Sequence, residues 1–381
     1  MTSFTELGIP DNLIKTLESQ GISQPFPIQE QGIPAVLSRK DVLGIAETGS
    51  GKTVSYVLPI LLHLQKQNLV NNRSADVLVL VPTRELAVQV QSVFKSFVPA
   101  LSTPLKSMAV YGGVSINPQM KNLNGVNILI ATPGRLLELI ENNAIGLSKI
   151  TTLVLDEADK MLNLGFKDEM DRIFKFLPGK RQNLLFSATL SKEVTNMTGL
   201  LLTDPIVINI KPRNDDEVLI NQLGYFVSEE KKGPLLRFLI RQNNLQQVLV
   251  FTSSTHKADR VAEKLFKNGI DALSIHSKKS QGARTEALSD FKQGHIRVLV
   301  TTDLLARGID IEFLPCVINY ELPRSPKDYI HRIGRTGRAK SPGEAISFVT
   351  PTDEHHFRVI QKKMGKVATM IDADGLDLAG S

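Results

Sequence analysis

The chain has 381 residues, 42% of them hydrophobic and 22% charged, with 45 Lys+Arg against 39 Asp+Glu and a formal net charge of +6. Domains usually run to ~100–200 residues, so this length points to two cores rather than one. An ordinary apolar fraction with interspersed charges excludes wholesale disorder and a continuous coiled coil.

In chain order, Met1–Glu6 shows neither a basic segment nor an apolar stretch, so no secretory leader is expected. Short β-branched runs then alternate with amphipathic helical windows, the pattern of βαβ units and mostly parallel sheets. In the first half, strands are expected at Val42–Ala46, Val77–Val81, Met108–Tyr111, Ile128–Ala131, Thr152–Leu155, Leu184–Ser187 and Ile206–Ile210. The longest apolar run, Val54–Leu64, contains Tyr56, Pro59 and His63 and falls short of the ~20 residues that span a bilayer, so no membrane role is expected. The polar stretch 211–218 reads as a linker between a first domain, 1–210, and a second, 219–366. In the second domain strands are expected at Gly224–Val227, Val248–Thr252, Ala272–Ile275, Arg297–Thr301, Val317–Tyr320 and Ala345–Val349. The lone cysteine, Cys316, adjoins one of these and reads as a buried structural thiol in a reducing compartment. Residues 367–381 turn small and acidic, and a loosely ordered tail is expected. Nineteen basic and 18 acidic side chains lie through Ile210, against 26 and 21 beyond it, so +5 of the +6 belongs to the second half.

The first expected strand runs into Ala46-Glu47-Thr48-Gly49-Ser50-Gly51-Lys52-Thr53 and then a helical window. A strand, a Gly-rich loop and a helix N-terminus form an anion cradle, because free backbone N–H groups and the positive helix end converge on phosphate oxygens. Lys52 is expected to reach the β- and γ-phosphates and the Thr53 hydroxyl to complete a Mg²⁺ shell. Ala46 stands where the P-loop consensus has Gly. A P-loop also needs a carboxylate from elsewhere. The strand Thr152–Leu155 ends in Asp156-Glu157-Ala158-Asp159, at the strand end where ligands bind in open α/β sheets. Asp156 is assigned to Mg²⁺, partly through water, and Glu157 to polarising the water that attacks the γ-phosphate. A solvated acidic turn is the plainer alternative, which the upstream P-loop disfavours.

Asp156-Glu157-Ala158-Asp159 resembles the element that names the DEAD-box helicases, and Ala46–Thr53 is similar to their P-loop, in which Ala opens the motif. The resemblance covers residues 3 to 350, and the wording of Lys279–Thr285 with Phe291-Lys292 is most similar to the bacterial RhlE group. It implies an α/β fold of two tandem RecA-like domains, each a mostly parallel sheet flanked by helices, with ATP and Mg²⁺ in a cleft between them. It further implies an N-terminal adenine-recognition motif over 3–30, in which Phe4 covers the base and the Gln29 amide reads its edge. Phe26 stands where the family usually has Thr.

Several strand-end loops resemble the family's RNA-gripping motifs: Pro82-Thr83-Arg84, Gly112-Gly113 and Thr132-Pro133-Gly134-Arg135 in the first domain, Thr252-Ser253, Gln281 with Arg284, and Thr301-Thr302-Asp303 in the second. Backbone grip of this kind carries little sequence information and is salt-sensitive. Thr132–Arg135 alone could equally be a β-turn opening a helix. The run His331–Arg338 could be a generic basic patch. With the resemblance it implies arginine fingers at Arg335 and Arg338, with Asp310 on the ribose hydroxyls. Asp159, Ser187, Thr189, Arg307 and His331 would couple the domains. The implied activity is RNA-stimulated ATP hydrolysis with local unwinding of short duplexes. An ATP-gated clamp, annealing or remodelling factor shares every residue named, whereas a P-loop kinase leaves the second domain unexplained. The implied partners are single-stranded RNA, short duplexes, and ribosomal or RNA-decay complexes; a cytoplasmic monomer is expected.

Overall fold

The computed structural model describes residues 2–47, 49–66, 74–210, 220–303, 311, 314–337 and 342–378. Thr48, Arg307, Asp310, Arg338 and the expected linker 211–218 lie outside the described residues. The chain divides into two compact units, Met1–Pro212 and Arg213–Ser381.

The first unit's sheet comprises β1 (Val42–Ile45), β2 (Val77–Leu80), β3 (Ser107–Val110), β4 (Ile128–Ala131), β5 (Thr152–Leu155), β6 (Gln182–Ser187) and β7 (Ile206–Asn209). All pair in parallel, in the order β3-β4-β2-β5-β6-β1-β7. Runs such as Val-Leu-Val-Leu form central parallel strands because both faces of such a sheet are covered by helices. Within β2, Val77 and Val79 enter one core and Leu78 and Leu80 the other, as the period of two requires.

The second sheet comprises β8 (Ile220–Phe226), β9 (Val248–Thr252), β10 (Ala272–Ile275), β11 (Val298–Thr302), β12 (Cys316–Asn319), β13 (Gly343–Val349) and β14 (Thr369–Asp372). Its order, β10-β11-β9-β12-β13-β8-β14, repeats the first sheet's order strand for strand. Cys316 is fully buried within β12, and burial pushes its thiol pKa up, away from a reactive thiolate.

Two expectations are corrected. Strand β8 begins four residues before Gly224, because Asn221 and Gln222 meet the ladder's hydrogen bonding despite interrupting the apolar run. The acidic tail is not loose at residues 369–372: β14 pairs with β8 from Thr369↔Leu223 to Asp372↔Phe226, and Ala373 behind it is buried. Backbone pairing at a sheet edge demands few apolar side chains, so composition understated this strand.

Helix Lys52–Gln65 packs beside helix Pro27–Leu37, and His63 ties them: its Nε2 lies 3.2 Å from Leu37 O and, facing a carbonyl, carries the proton. Burial, and then the charge of Arg39, pull the His63 pKa down to about 4. Its folded pKa lies below the unfolded value, so the unfolded chain takes up the proton first and stability drops as pH falls from about 6.5 towards 4. Allowing for solvent screening, the loss is on the order of 1–2 kcal/mol. Thermal melts across that window should show a shallower acid slope in His63→Gln; identical slopes would remove His63 as the cause.

Candidate nucleotide and RNA sites

Strand β1 ends at Ile45, and Ala46–Gly51 carries the chain into helix Lys52–Gln65. Gly51, the helix N-cap, has φ +87°, and a Cβ there would lie 2.5 Å from Gln29 Nε2, so only glycine fits. Lys52 is buried, and its ammonium donates to Ala46 O and Glu47 O, both at 2.7 Å. Burial pushes its pKa down, with Asp156 and then Glu157 opposing.

Asp156 follows β5, two strands from β1 and at the same carboxyl edge. Its carboxylate is buried and accepts from the Tyr56 hydroxyl at 2.8 Å. Burial first, then the neighbouring Glu157 charge, raise its pKa to about 6, against the pull of Lys52. Tyr56 escaped the sequence reading. It lies four residues after Lys52 on a helix, and that spacing places both on one face.

Glu157 takes a left-handed backbone, φ +57° and ψ +49°, which β-carbon residues rarely adopt. Its Oε1 meets Lys160 Nζ at 2.6 Å, while Oε2 is buried without a hydrogen-bond partner. Asp159 Oδ2 accepts from the Thr189 hydroxyl at 2.8 Å, and Ser187 Oγ donates to Thr189 O at 2.8 Å. The three first-unit residues expected to couple the domains are thus joined by hydrogen bonds, Asp159 from the segment after β5 and Ser187 and Thr189 from the end of β6. His331 lies in the last turn of helix Pro326–Ile333 of the second unit.

The aromatic ring open beside the P-loop is Phe26, 46% exposed and close to Gly51. Phe4, expected to cover the base, is only 3% exposed and packs into the first unit's core with Leu7, Leu13 and Leu17. Gln29 is fully buried; its Oε1 accepts from Phe26 N at 2.9 Å and its Nε2 donates to Gly51 O at 3.1 Å. Gln29 therefore braces the P-loop against the N-terminal segment, with one lone pair and one proton left for a base edge.

Of the expected first-unit RNA residues, Thr83 caps helix Arg84–Phe97 by accepting from Leu86 N, and Arg84 lies against Gly113, whose added Cβ would meet Arg84 Nη2 at 2.1 Å. Gly112, Gly113 and Gly134 leave backbone accessible, and Pro82, Thr132 and Pro133 are buried. Arg135 turns inward, donating to Glu138 Oε2 and Val114 O, each at 2.8 Å, and so braces the Gly112-Gly113 loop.

In the second unit the side chains of Thr252 and Thr301 are fully buried, with their hydroxyls donated to backbone carbonyls, so these hydroxyls do not face a strand. Gln281 opens helix Gln281–Lys292 and accepts from Arg284, and Thr302 is half-buried at the end of β11. The Ser253 N–H and hydroxyl both donate to Glu321 Oε2 at 2.7 Å, while Lys257 meets Glu321 Oε1 at 2.6 Å. A carboxylate thus occupies the donor pair expected to hold phosphate. Burial raises the Glu321 pKa, but hydrogen bonds from Lys257 and Ser253 outweigh it and hold the carboxyl below its ordinary value.

Asp303, expected to face RNA, is committed to Arg332: Nε–Oδ1 2.5 Å and Nη2–Oδ2 2.8 Å, a two-pronged pair. Arg332 is 2% exposed, also donates to Asn319 Oδ1 and Glu321 O, and lies 4.8 Å over the Phe251 ring. Nothing in the basic run distinguished this arginine from its neighbours. Arg332→Met should cost about 3 kcal/mol, at the low end for a broken buried pair because Asp303 is partly hydrated. Urea unfolding measures it, and a loss under ~0.5 kcal/mol, typical of surface changes, would show the pair to be peripheral.

A buried P-loop lysine, a two-carboxylate strand end on the same sheet edge, and a second unit with the same strand order define a P-loop NTPase of the tandem RecA-like class. The DEAD/DEAH box helicase model matches residues 26–197, and the helicase conserved C-terminal domain model matches residues 230–340. The chain is 40% identical over 378 residues to the ATP-dependent RNA helicase dbp2 of Neurospora crassa, covering 97% of this chain and 67% of that one. It is 41% identical over 353 residues to the DEAD-box ATP-dependent RNA helicase 20 of Arabidopsis thaliana, covering 91% and 70%. Among solved structures, S. cerevisiae Dbp5 bound to RNA and ADP BeF3 superposes with a TM-score of 0.82 at 30% identity, over 98% of this chain and 96% of that one. The chain belongs to the DEAD-box helicase family, the ATP-dependent RNA helicases.

Proposed function

We propose that the chain hydrolyses ATP under RNA control and uses the cycle to separate short RNA duplexes locally. The observation that carries this reading is Glu157, held in a strained backbone beside Asp156 with one oxygen tied to Lys160 and the other buried and unpartnered. Such a carboxylate accepts a proton from an attacking water. Lys52 and the loop N–H groups bind the β- and γ-phosphates, whose oxygens replace the carbonyls that Lys52 now contacts. Arg335 and Arg338 neutralise charge on the transferring phosphoryl group, and Asp310 meets the ribose. Gln29 reads adenine with its remaining hydrogen-bonding capacity, and Phe26 adds an apolar wall beside the loop.

Asp156 and Thr53 are hard oxygen donors on either side of Tyr56, and among the described residues no group of three or more His, Cys, Asp or Glu is arranged to hold a metal. That set fits Mg²⁺, which takes most of its shell from phosphates and water. Bound there, Mg²⁺ would offset charge on the phosphate oxygens.

RNA grip falls to the accessible backbone of Gly112, Gly113 and Gly134, to Arg84, and to Gln281, Thr302 and Ser253, where a phosphate must displace Glu321. ATP turnover should rise at least about tenfold on adding RNA and fall back at high salt, since backbone-phosphate contacts release counterions. ATPase rates with RNA, with DNA and without nucleic acid test this, together with strand displacement on a short duplex. No stimulation would overturn the reading; stimulation without displacement at any duplex stability would leave an ATP-gated clamp.

A further inference from the structure

The amino-terminal edge of the first sheet carries a polar cavity of about 390 Å³ lined by Arg39, Lys40, Asp41, Arg181, Asn183 and Thr203, among others. Arg39–Asp41 lead into β1, and Arg181 leads into β6, where Asn183 lies. The P-loop leaves the other end of β1, roughly 13 Å away at ~3.3 Å per residue, so the cavity and the nucleotide site lie on opposite edges.

Three cations face one carboxylate here, and that carboxylate is already spent. Asp41 accepts from Asn183 N at 2.7 Å, Asn183 Nδ2 at 3.2 Å and Thr203 N at 2.9 Å, fastening β1 to β6 and to the turn before β7. Among the described residues Lys40 has only a distant, exposed partner, Asp204, at 3.4 Å. The Arg39 guanidinium makes no hydrogen bond or ion pair among the described residues, and Arg181 donates through Nη1 to Pro178 O while its Nε is buried without a partner. Burial depresses the pKa of both guanidinium groups; nothing offsets it at Arg39, and Asp41 offsets it only in part at Arg181.

Arg39, at φ +61°, follows the C-cap Ser38 of helix Pro27–Leu37 as the left-handed residue that ends the helix, its N–H donating to Val36 O. One further detail points to a ligand. Asn183, a lining residue 8% exposed, has its amide orientation set by the donation to Asp41, which leaves Oδ1 buried as an acceptor with no donor among the described residues. The wall therefore asks for an anion that also presents one hydroxyl.

We propose that this cavity is a second phosphate site, distinct from the P-loop, in which Arg39, Lys40 and Arg181 hold the anion and Asn183 Oδ1 accepts its hydroxyl. Hydrogen phosphate supplies both features. So does the ribose-phosphate of an RNA segment beyond the stretch gripped at the carboxyl edge, through its 2′-hydroxyl.

The test is the double variant Arg39→Gly, Arg181→Gln, in which glycine suits the backbone at position 39, so a melting temperature no lower than the parent's certifies the fold. With ADP saturating the P-loop, calorimetric titration of inorganic phosphate should show saturable binding to the parent and none to the variant. In parallel, anisotropy reads affinity for a short RNA and a longer one. If RNA is the source, the variant loses about tenfold on the longer RNA only, and the slope of log K against log salt shrinks by about 1.4, the value for two contacts to a single strand. If free phosphate is the source, phosphate binding disappears and both RNA affinities are unchanged. Phosphate binding that survives in the variant, or a parent that binds no phosphate and matches the variant on both RNAs, would overturn the site.

Discussion

Glu157→Gln should lower ATP turnover by about 10²- to 10⁴-fold, the usual worth of a positioned general base, while ATP affinity stays near the parent's. Glutamine keeps the size and the left-handed turn at position 157 and can still accept from Lys160 through its amide oxygen. What it loses is the carboxylate whose Oε2 is buried and unpartnered, the atom available to a water. Single-turnover hydrolysis separates this from binding: weaker ATP binding with normal chemistry would reassign Glu157 to holding the loop. Glu157→Asp is the informative companion, since it keeps the charge and withdraws it by one methylene.

Arg335→Ala should cost about 10³-fold in hydrolysis if its guanidinium serves as an arginine finger. The backbone at this position is rigidly placed: Arg335 N donates to Arg332 O, its own carbonyl accepts from Leu314 N at 3.0 Å, and Thr336 Oγ1 donates to Leu314 O. Gly343 packs so close that a Cβ there would lie 2.3 Å from Gly337 N. The side chain is only 8% exposed, so a melt of the variant checks the fold beside the assay, and a loss smaller than tenfold would mark Arg335 as part of a structural basic patch. Arg335→Lys should recover little, because a point charge on a flexible stem does not reproduce a planar fork.

The two arginines three residues apart show where sequence reasoning stops. Arg332 and Arg335 look alike in the run His331–Arg338, yet Arg332 is sealed against Asp303, Asn319 and the Phe251 ring. Asp303 sits 29 residues before it, and no local pattern predicts a pair at that separation. The same holds for Tyr56 on Asp156, 100 residues apart, and for Glu321 on Ser253, 68 apart. Phe4 and Phe26 make the point for aromatics: either could have been the open ring, and only packing placed Phe4 in the core.

Much was legible because its causes are local. Thirteen of the fourteen strands, the P-loop and the Asp156-Glu157 turn follow from runs of a few residues whose apolar period, glycine content or charge is set by neighbours in the chain. The exception, β14, is half-exposed at an edge and held by backbone pairing. Strand order, the repetition of that order in both units, and the partner of each buried charge are set by contacts between segments far apart in sequence. Composition could report +6; only the tertiary structure decided that Arg332 is neutralised within its own unit while Arg39 and Arg181 are left facing a cavity with one committed carboxylate. Pairing a charge depends on distance in space, and that distance is fixed when two sheets close over their cores.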